Sequence, residues 1–343
     1  MNRFEWTSPV RLEQALEART ATVASAMGAG GGTVPAPAAV FKAGGTDLLG
    51  LVKEELIAPA RVVSLRSVGS LDGIARRPDG ALAIGANVTL AALAADPAVR
   101  AGYRALAQAA GESASPQLRR IATIGGNLLQ RPRCWYFRSR FHPCARKGGS
   151  TCFAFAGENE YHAIFGQHGC AIVHPSTPAT ALVALGASVE LARAGRAPRT
   201  LPLESFFVAP DRDVTRENVL EDGEVLTAIV LPPPRAGLRS AHRRVGELES
   251  FDWPIADAAV VLELGAGGEC RGASIVLGSA APVPHRAKAA QSALVGSRVT
   301  GEAARRAARA ALEGATPLAH NAYKLPVFEA LVRRTILEAA GPA

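Results

Sequence analysis

The sequence predicts an α+β fold divided into two domains, and three observations carry that expectation. Short apolar runs alternate with glycine turns and helical stretches through roughly the first two thirds of the chain. A proline block, "LPPPRAG" at 231–237, can continue neither a central strand nor a helix and marks a boundary. Beyond it, the strand-like "DAAVVLELGAGGECRGASIVLGSA" leads into two amphipathic helical stretches at 302–314 and 325–340.

The elements follow in order. Ser8 and Pro9 suit an N-cap and first helical position, with Val10, Leu12, Ala15 and Leu16 at helical spacing. "ASAMGAGGGTVPAPAA" (24–39) is a low-complexity link. "VFKAGGTDLLGLVKEEL" predicts strand, glycine turn and helix; "RVVSLRSV" and "ALAIGANVTL" predict strands. Thr89 suits the cap of a helix over "LAALAADPAV", and a second helix is expected over 101–112. "IATIGGNLLQ" predicts a turn. Regular patterning stops from 131 to 170 and resumes as helix, then strand, in "ATALVALGASVELARA".

Composition excludes several classes. With 48% hydrophobic residues, 20% charged, 34 Gly and 23 Pro in 343 residues, the chain is an ordinary globular one rich in turns. Five cysteines are too few for a disulfide scaffold. The net charge of +8 suits nucleic acid, a membrane surface or an acidic partner, and no charge run chooses among them. No stretch approaches the roughly 18 apolar residues of a membrane span. The N-terminus lacks the apolar core of a signal peptide, so a cytoplasmic protein is expected, with export only by way of a signal-bearing partner subunit.

Two glycine turns, "AGGT" at 43–46 and "TIGG" at 123–126, each follow an apolar strand-like segment. Glycine reaches positive φ and lets backbone approach a ligand closely, and successive N–H groups there make a concave anion site. A diphosphate suits such a pair. Neither turn matches the dinucleotide-binding G-x-G-x-x-G or the P-loop pattern, which argues against a Rossmann site.

Four of the five cysteines crowd together as C-x9-C-x7-C-x17-C: Cys134, Cys144, Cys152 and Cys170. Four thiolates can hold zinc or an iron–sulfur cluster. Structural zinc sites usually contain C-x2-4-C pairs, and none occurs here. Two disulfides would need an oxidising compartment. Arg131, Arg133, Arg138, Arg140, Arg146 and Lys147 flank the first two cysteines and would favour an anionic group. Trp135, Tyr136, Phe137, Phe141, Phe153 and Phe155 offer an apolar wall, and His142 and His168 are candidate donors to the sulfurs. Cys270, in the last domain, is expected to be an ordinary thiol.

"FKAGGTDLLGLVK" and "IATIGGNLL", with "GEVLTAIVLPPP" and "NAYKLPVFEALVRRTI" after them, resemble the FAD-binding medium subunits of the molybdenum hydroxylases, the xanthine dehydrogenase family. That resemblance covers nearly the whole chain. It implies a bipartite FAD-binding domain of the vanillyl-alcohol-oxidase (PCMH) type over 1–233, with subdomains 1–60 and 61–233. A smaller α+β domain of the CO dehydrogenase flavoprotein type would occupy 238–343. Carried over by position, the first FAD loop is Val40, Phe41, Lys42, Ala43, Gly44, Gly45, Thr46, Asp47 and Leu48. The second is Thr123, Ile124, Gly125, Gly126 and Asn127. Thr177, in "HPSTPATALVALGA", stands where the family often carries an FAD-holding Asp. The segment 243–261 matches one beside the flavin ring, making Asp252, Trp253 and Ile255 to Asp257 candidate neighbours; Lys324 is a further one.

The cysteines lie in an insertion over 131–171, between the second loop and "HPSTPA". That arrangement resembles the FAD subunit of periplasmic-type bacterial aldehyde oxidoreductases through "NLLQRPRCWYF", "PCARK" and "CAIVHPS", and it implies a [4Fe–4S] cluster on the four cysteines. The expected function is an electron-transfer subunit carrying FAD and [4Fe–4S]. Its implied partners are a molybdopterin-binding large subunit, a [2Fe–2S] small subunit and an external acceptor, with neither nucleic acid nor a membrane span involved. No residue of this chain is expected to be an acid or base. A 4-hydroxybenzoyl-CoA reductase flavoprotein subunit is the alternative within the same architecture. A zinc-stapled nucleic-acid-binding protein is the alternative from another class, and it leaves both glycine loops without a purpose.

Overall fold

The computed structural model describes residues 3–27, 38–249 and 252–341. Most of the low-complexity link, 28–37, lies outside them. Three sheets organise the rest. Strands β1 (Glu5–Thr7), β3 (Arg61–Ser64) and β2 (Ala39–Lys42) form a parallel sheet in the order β1-β3-β2. An antiparallel sheet follows, β4 (Ile74–Arg76), β5 (Leu82–Gly85), β8 (Glu224–Leu231), β6 (Ser188–Arg193) and β7 (Arg199–Pro202), in the order β4-β5-β8-β6-β7. The last sheet runs β12-β11-β10-β9 and is also antiparallel. Its strands are β9 (Leu238–Val245), β10 (Ala256–Leu264), β11 (Cys270–Gly278) and β12 (His285–Arg286).

The sequence pattern explains the layers. β10, "ADAAVVLEL", is buried along its first seven residues, because it is a central strand with helices on both faces. One face takes the closing helix Lys324–Ala340; the other takes the helix Thr177–Ala184, whose eight residues are all buried. In the helix Gly301–Ala310, Ala303, Ala304, Ala307 and Ala308 face inward while Arg305, Arg306 and Arg309 face solvent. Thr300 caps it by accepting from Ala303 N–H.

Some local expectations change. The first helix is Leu12–Leu16, entered through Arg11, because residues 5–7 are drawn into the parallel sheet and Ser8–Pro9 becomes its exit. "LAALAADPAV" divides at Asp96, which caps a second helix beginning at Pro97. "TIGGN" starts a short helix, Ile124–Leu128, capped by Thr123 through Gly126 N–H.

The two sheet systems meet across the helix Arg104–Glu112, which packs on β9. Ala105 N–H donates to Ser240 Oγ, and His242 N–H to Gln108 Oε1. At the centre His242, fully buried, faces Asp257 Oδ1 at 3.3 Å and Glu112 Oε2 at 3.6 Å. Burial alone would push its pKa down, but the two carboxylates outweigh it and raise the value. With the folded-state pKa raised, the stabilisation is whole below the unfolded value of about 6.5 and is lost as pH rises through the folded value. His242→Gln is therefore expected to lower the melting temperature more at about pH 5.5 than at about pH 8.5. An equal loss at both would refute the charged junction.

Candidate functional site

The two glycine turns meet. β2 and its following turn bring Gly44 against the backbone just before the second turn, where an added Cβ would lie 2.2 Å from the Ile121 carbonyl oxygen. Gly45 takes φ +81, the left-handed region where glycine is free. On the other side Gly125 packs on Ala86, whose carbonyl accepts its N–H. Between the turns opens a cleft of about 1190 Å³, open solvent at its mouth included.

Of the expected FAD residues, Phe41 to Leu48, Thr123, Gly125 and Gly126 line this cleft. Val40 and Ile124 are fully buried in core clusters behind the loops. Asn127 accepts a hydrogen bond from Ser176 Oγ at 2.5 Å, and Ser176 caps the helix that Thr177 begins. Asn127 and Thr177 thus lie beyond the cleft wall, tied through Ser176. The cleft is completed by Thr20 to Ala24, Asn87 and Arg216 to Asn218, which no sequence expectation placed there, and by Gly223 to Leu226, the start of "GEVLTAIVLPPP".

The first loop also holds the insertion. Asp47 Oδ2 accepts from Arg131 N–H at 2.8 Å, while Oδ1 lies 2.6 Å from Arg138 Nη2 and 2.9 Å from Arg133 Nη2. Removing a carboxylate that compensates partly buried cations costs about 3 kcal/mol when no substitute is at hand. Asp47→Asn is expected to loosen the insertion selectively, as faster proteolysis between 131 and 171 in the native state. Protection equal to that of the parent would refute the clamp.

The four cysteines face a single cavity, lined by Cys134, Cys144, Cys152 and Cys170 with Tyr136, Phe137, Phe153 and Ile172. Every sulfur faces at least one backbone N–H: Phe137 and Tyr136 toward Cys134, Lys147 and Arg146 toward Cys144, Ala171 and Ala154 toward Cys152, Ile172 toward Cys170. Arg146 Nε donates to Cys170 Sγ at 3.4 Å, and His162 Nε2 lies 3.3 Å from Cys134 Sγ. Burial pushes the Cys134 thiol up to about 12. The Cys152 side chain, with Arg146, pulls Cys170 down to about 6 against its burial. Among the described residues, no three His, Cys, Asp or Glu side chains form a group that could hold a metal ion.

The surroundings differ from the expectation in three ways. Phe141 and Phe155 face solvent, so the wall is Tyr136, Phe137 and Phe153. His142 bonds Ser139 Oγ and His168 is exposed; the histidine at a sulfur is His162. Most of the flanking cations pair with carboxylates from elsewhere. Arg133 and Arg138 meet Asp47, Arg140 meets Glu55, and Arg131 and Arg146 share Glu217. Cys270 is a buried core thiol, as expected.

A second pocket of about 960 Å³, open solvent at its mouth included, adjoins the cluster of cysteines, with Arg133, Cys134, Trp135, His162, Asp252 and Trp253 in its wall. Arg133 stacks on Trp253 at 5.0 Å. Asp257 lies outside both cavities, accepting from Ser279 Oγ beside His242. Lys324 is fully buried, donating to the Ser279 and His162 carbonyls; burial lowers its pKa to about 7.

The chain is similar to known proteins along nearly its whole length. Residues 2–234 match the family described as "FAD binding domain in molybdopterin dehydrogenase", and residues 242–339 match "CO dehydrogenase flavoprotein C-terminal domain". The chain is 34% identical over 309 residues to the aldehyde oxidoreductase FAD-binding subunit PaoB of Escherichia coli K12, covering 90% of this chain and 93% of that one. It is 27% identical to the carbon monoxide dehydrogenase medium chain of Hydrogenophaga pseudoflava, with 86% of each covered. A solved structure of carbon monoxide dehydrogenase from H. pseudoflava superposes with TM-score 0.72 at 26% identity, covering 99% of this chain and 97% of that one.

Proposed function

The chain belongs to the FAD-binding subunits of the molybdenum hydroxylase family, and from that premise we propose that it is the FAD- and [4Fe–4S]-carrying electron-transfer subunit of an aldehyde oxidoreductase. In this reading electrons arrive from a molybdopterin-binding large subunit through a [2Fe–2S] small subunit and leave to an external acceptor. FAD, when bound, exchanges two-electron and one-electron chemistry, and the cluster exchanges single electrons.

The residues present suit both groups. The cleft suits a diphosphate: two glycine turns in backbone contact, one with a positive-φ glycine. Phe41 to Leu48 on one side, with Thr123, Gly125 and Gly126 on the other, would hold it. Asp252 and Trp253, expected beside the flavin ring, line the cavity that also reaches Cys134.

The observation that carries the cluster is the array of donors around the cysteines. Neutral thiols are weak acceptors and have little need of backbone N–H groups. Four sulfurs each faced by such a group, with Arg146 and His162 added, suit anionic, metal-bound sulfur. Zinc would need its sulfurs about 2.3 Å from one point. The geometric support for one shared group is that all four cysteines line the same cavity.

This chain's own residues hold and shield. Tyr136, Phe137 and Phe153 keep water from the cysteine cavity, Asp47 ties the insertion to the FAD loop, and Asn321 and Lys324 hold the His162 carbonyl from the last domain. The test is the isolated protein. It should be yellow-brown, with a flavin spectrum and about four iron per chain. A colourless protein containing zinc would refute the reading.

A further inference from the structure

Arg131 and Arg146 are buried to within a few per cent, and a single carboxylate serves both. Glu217 Oε2 lies 2.9 Å from Arg131 Nε, and Oε1 lies 2.6 Å from Arg146 Nη1; Glu217 is itself 3% exposed. Arg131 and Glu217 belong to the wall of the glycine-loop cleft, and Arg146 to the wall of the cysteine cavity. The group therefore has one end in each site.

Its charge does not balance internally: two cations face one anion. Arg131 Nη1 and Arg146 Nη2 are buried without a hydrogen-bond partner, although Arg146 Nε donates to Cys170 Sγ. Buried charge with unpaired donors is costly unless anions complete it. Two sources of negative charge suit the two ends: a diphosphate in the cleft and cluster-bound thiolates in the cavity. An anion at Arg131 releases Glu217 to neutralise Arg146. Arg146 then stabilises negative charge on Cys170 less.

We propose that Glu217 is a positioning residue shared by the two cofactor sites, through which occupancy of the FAD cleft lowers the reduction potential of the cluster. The inference rests on the reading of both sites given above. A cation beside a cluster favours its reduced, more negative form, so withdrawing that cation's influence makes reduction harder. Linkage makes the effect reciprocal: reducing the cluster weakens FAD binding by the same factor.

The test is an EPR-monitored redox titration of the full-length protein, FAD-replete and FAD-stripped, for the parent and Glu217→Gln, with iron and FAD quantified on each sample. Glutamine keeps the volume and removes the charge. The parent potential is expected to fall when FAD binds. In Glu217→Gln the potential of the stripped protein is expected to rise, and its dependence on FAD to shrink by more than half. Should that variant not fold, Arg131→Gln leaves the Arg146–Glu217 pair intact and is expected to abolish the FAD dependence as well. An FAD-dependent shift equal to that of the parent in the folded variant, or loss of thermal stability with an unmoved potential, overturns the proposal. Absence of iron or of FAD from the parent overturns the underlying reading, and the proposal with it.

Discussion

Cys170→Ala is expected to strip the iron from the purified protein and leave its flavin. Cys170 is buried in the cysteine cavity, where it faces Ile172 N–H and the Arg146 guanidinium. A cubane cluster held by four thiolates does not survive the loss of a buried ligand that no side chain can replace. His162 is already turned toward Cys134. Iron should fall from about four per chain to well below one, and the brown absorbance should go with it. The yellow should stay, because none of the four cysteines lines the glycine-loop cleft. Metal binding and folding of the insertion are coupled, so protease sensitivity should rise between 131 and 171. Cys270→Ala is the matched control: its thiol is buried in the last domain's core and does not line the cysteine cavity. Trimming it costs about 1 kcal/mol of packing and should leave iron unchanged. Full iron content in Cys170→Ala would remove this cysteine from the site.

The features legible in the sequence are those that need a rare residue at a fixed place. The glycine turns are legible because few other residues reach φ +81 at Gly45 or tolerate a carbonyl oxygen where a Cβ would be at Gly44. The paired strands β10 and β11 are legible from the apolar "AAVVLEL" and "SIVLG" either side of a glycine-rich turn, and the closing helix because of its amphipathic spacing. Features set by pairing over long sequence distances were not legible. Six basic residues around the cysteines read as a cationic shell, since a sequence counts charges without placing their partners. Asp47, Glu55 and Glu217, remote along the chain, take up five of the six.

The same limit explains the histidine. His142 and His168 are adjacent to cluster cysteines in sequence, yet His162 reaches the sulfur. Asn159 and Asn321, both fully buried, fix its backbone: His162 N–H donates to the Asn159 carbonyl, and Asn321 Nδ2 donates to the His162 carbonyl. A contact made by a closing segment 159 residues away has no local pattern to announce it. The cleft wall at Arg216 to Asn218 is silent for a similar reason. It is a loop placed by β8 and by Arg146 and Arg131, without periodicity of its own.

Gly44→Ala is expected to abolish stable FAD retention while the protein still folds. The added methyl would lie 2.2 Å from the Ile121 carbonyl oxygen and 3.2 Å from Ala122 Cα, both backbone atoms that no rotamer change can clear. One loop must then move away from the other. Forcing extra volume into a tight contact costs about 1–3 kcal/mol. Here much of that cost falls on the geometry the diphosphate requires, because Gly44 lies between the strand and the turn that line one side of the cleft. Spent on binding, it corresponds to a loss of about 5- to 150-fold in FAD affinity. Gly45→Ala should do less through contact, since its Cβ meets only the flexible Lys42 and Leu49 side chains. Its penalty is the roughly 1–2 kcal/mol of a left-handed backbone. Gly50→Ala, 3.7 Å from the Arg138 Nη1, tests whether any added methyl in this region suffices, and should bind FAD as the parent does. FAD affinity and thermal stability measured on the three variants separate the outcomes. Lost affinity in Gly44→Ala, with unfolding close to that of the parent, means the two turns hold the cofactor between them. Parent-like affinity in Gly44→Ala would mean that the close approach of the loops belongs to the fold alone.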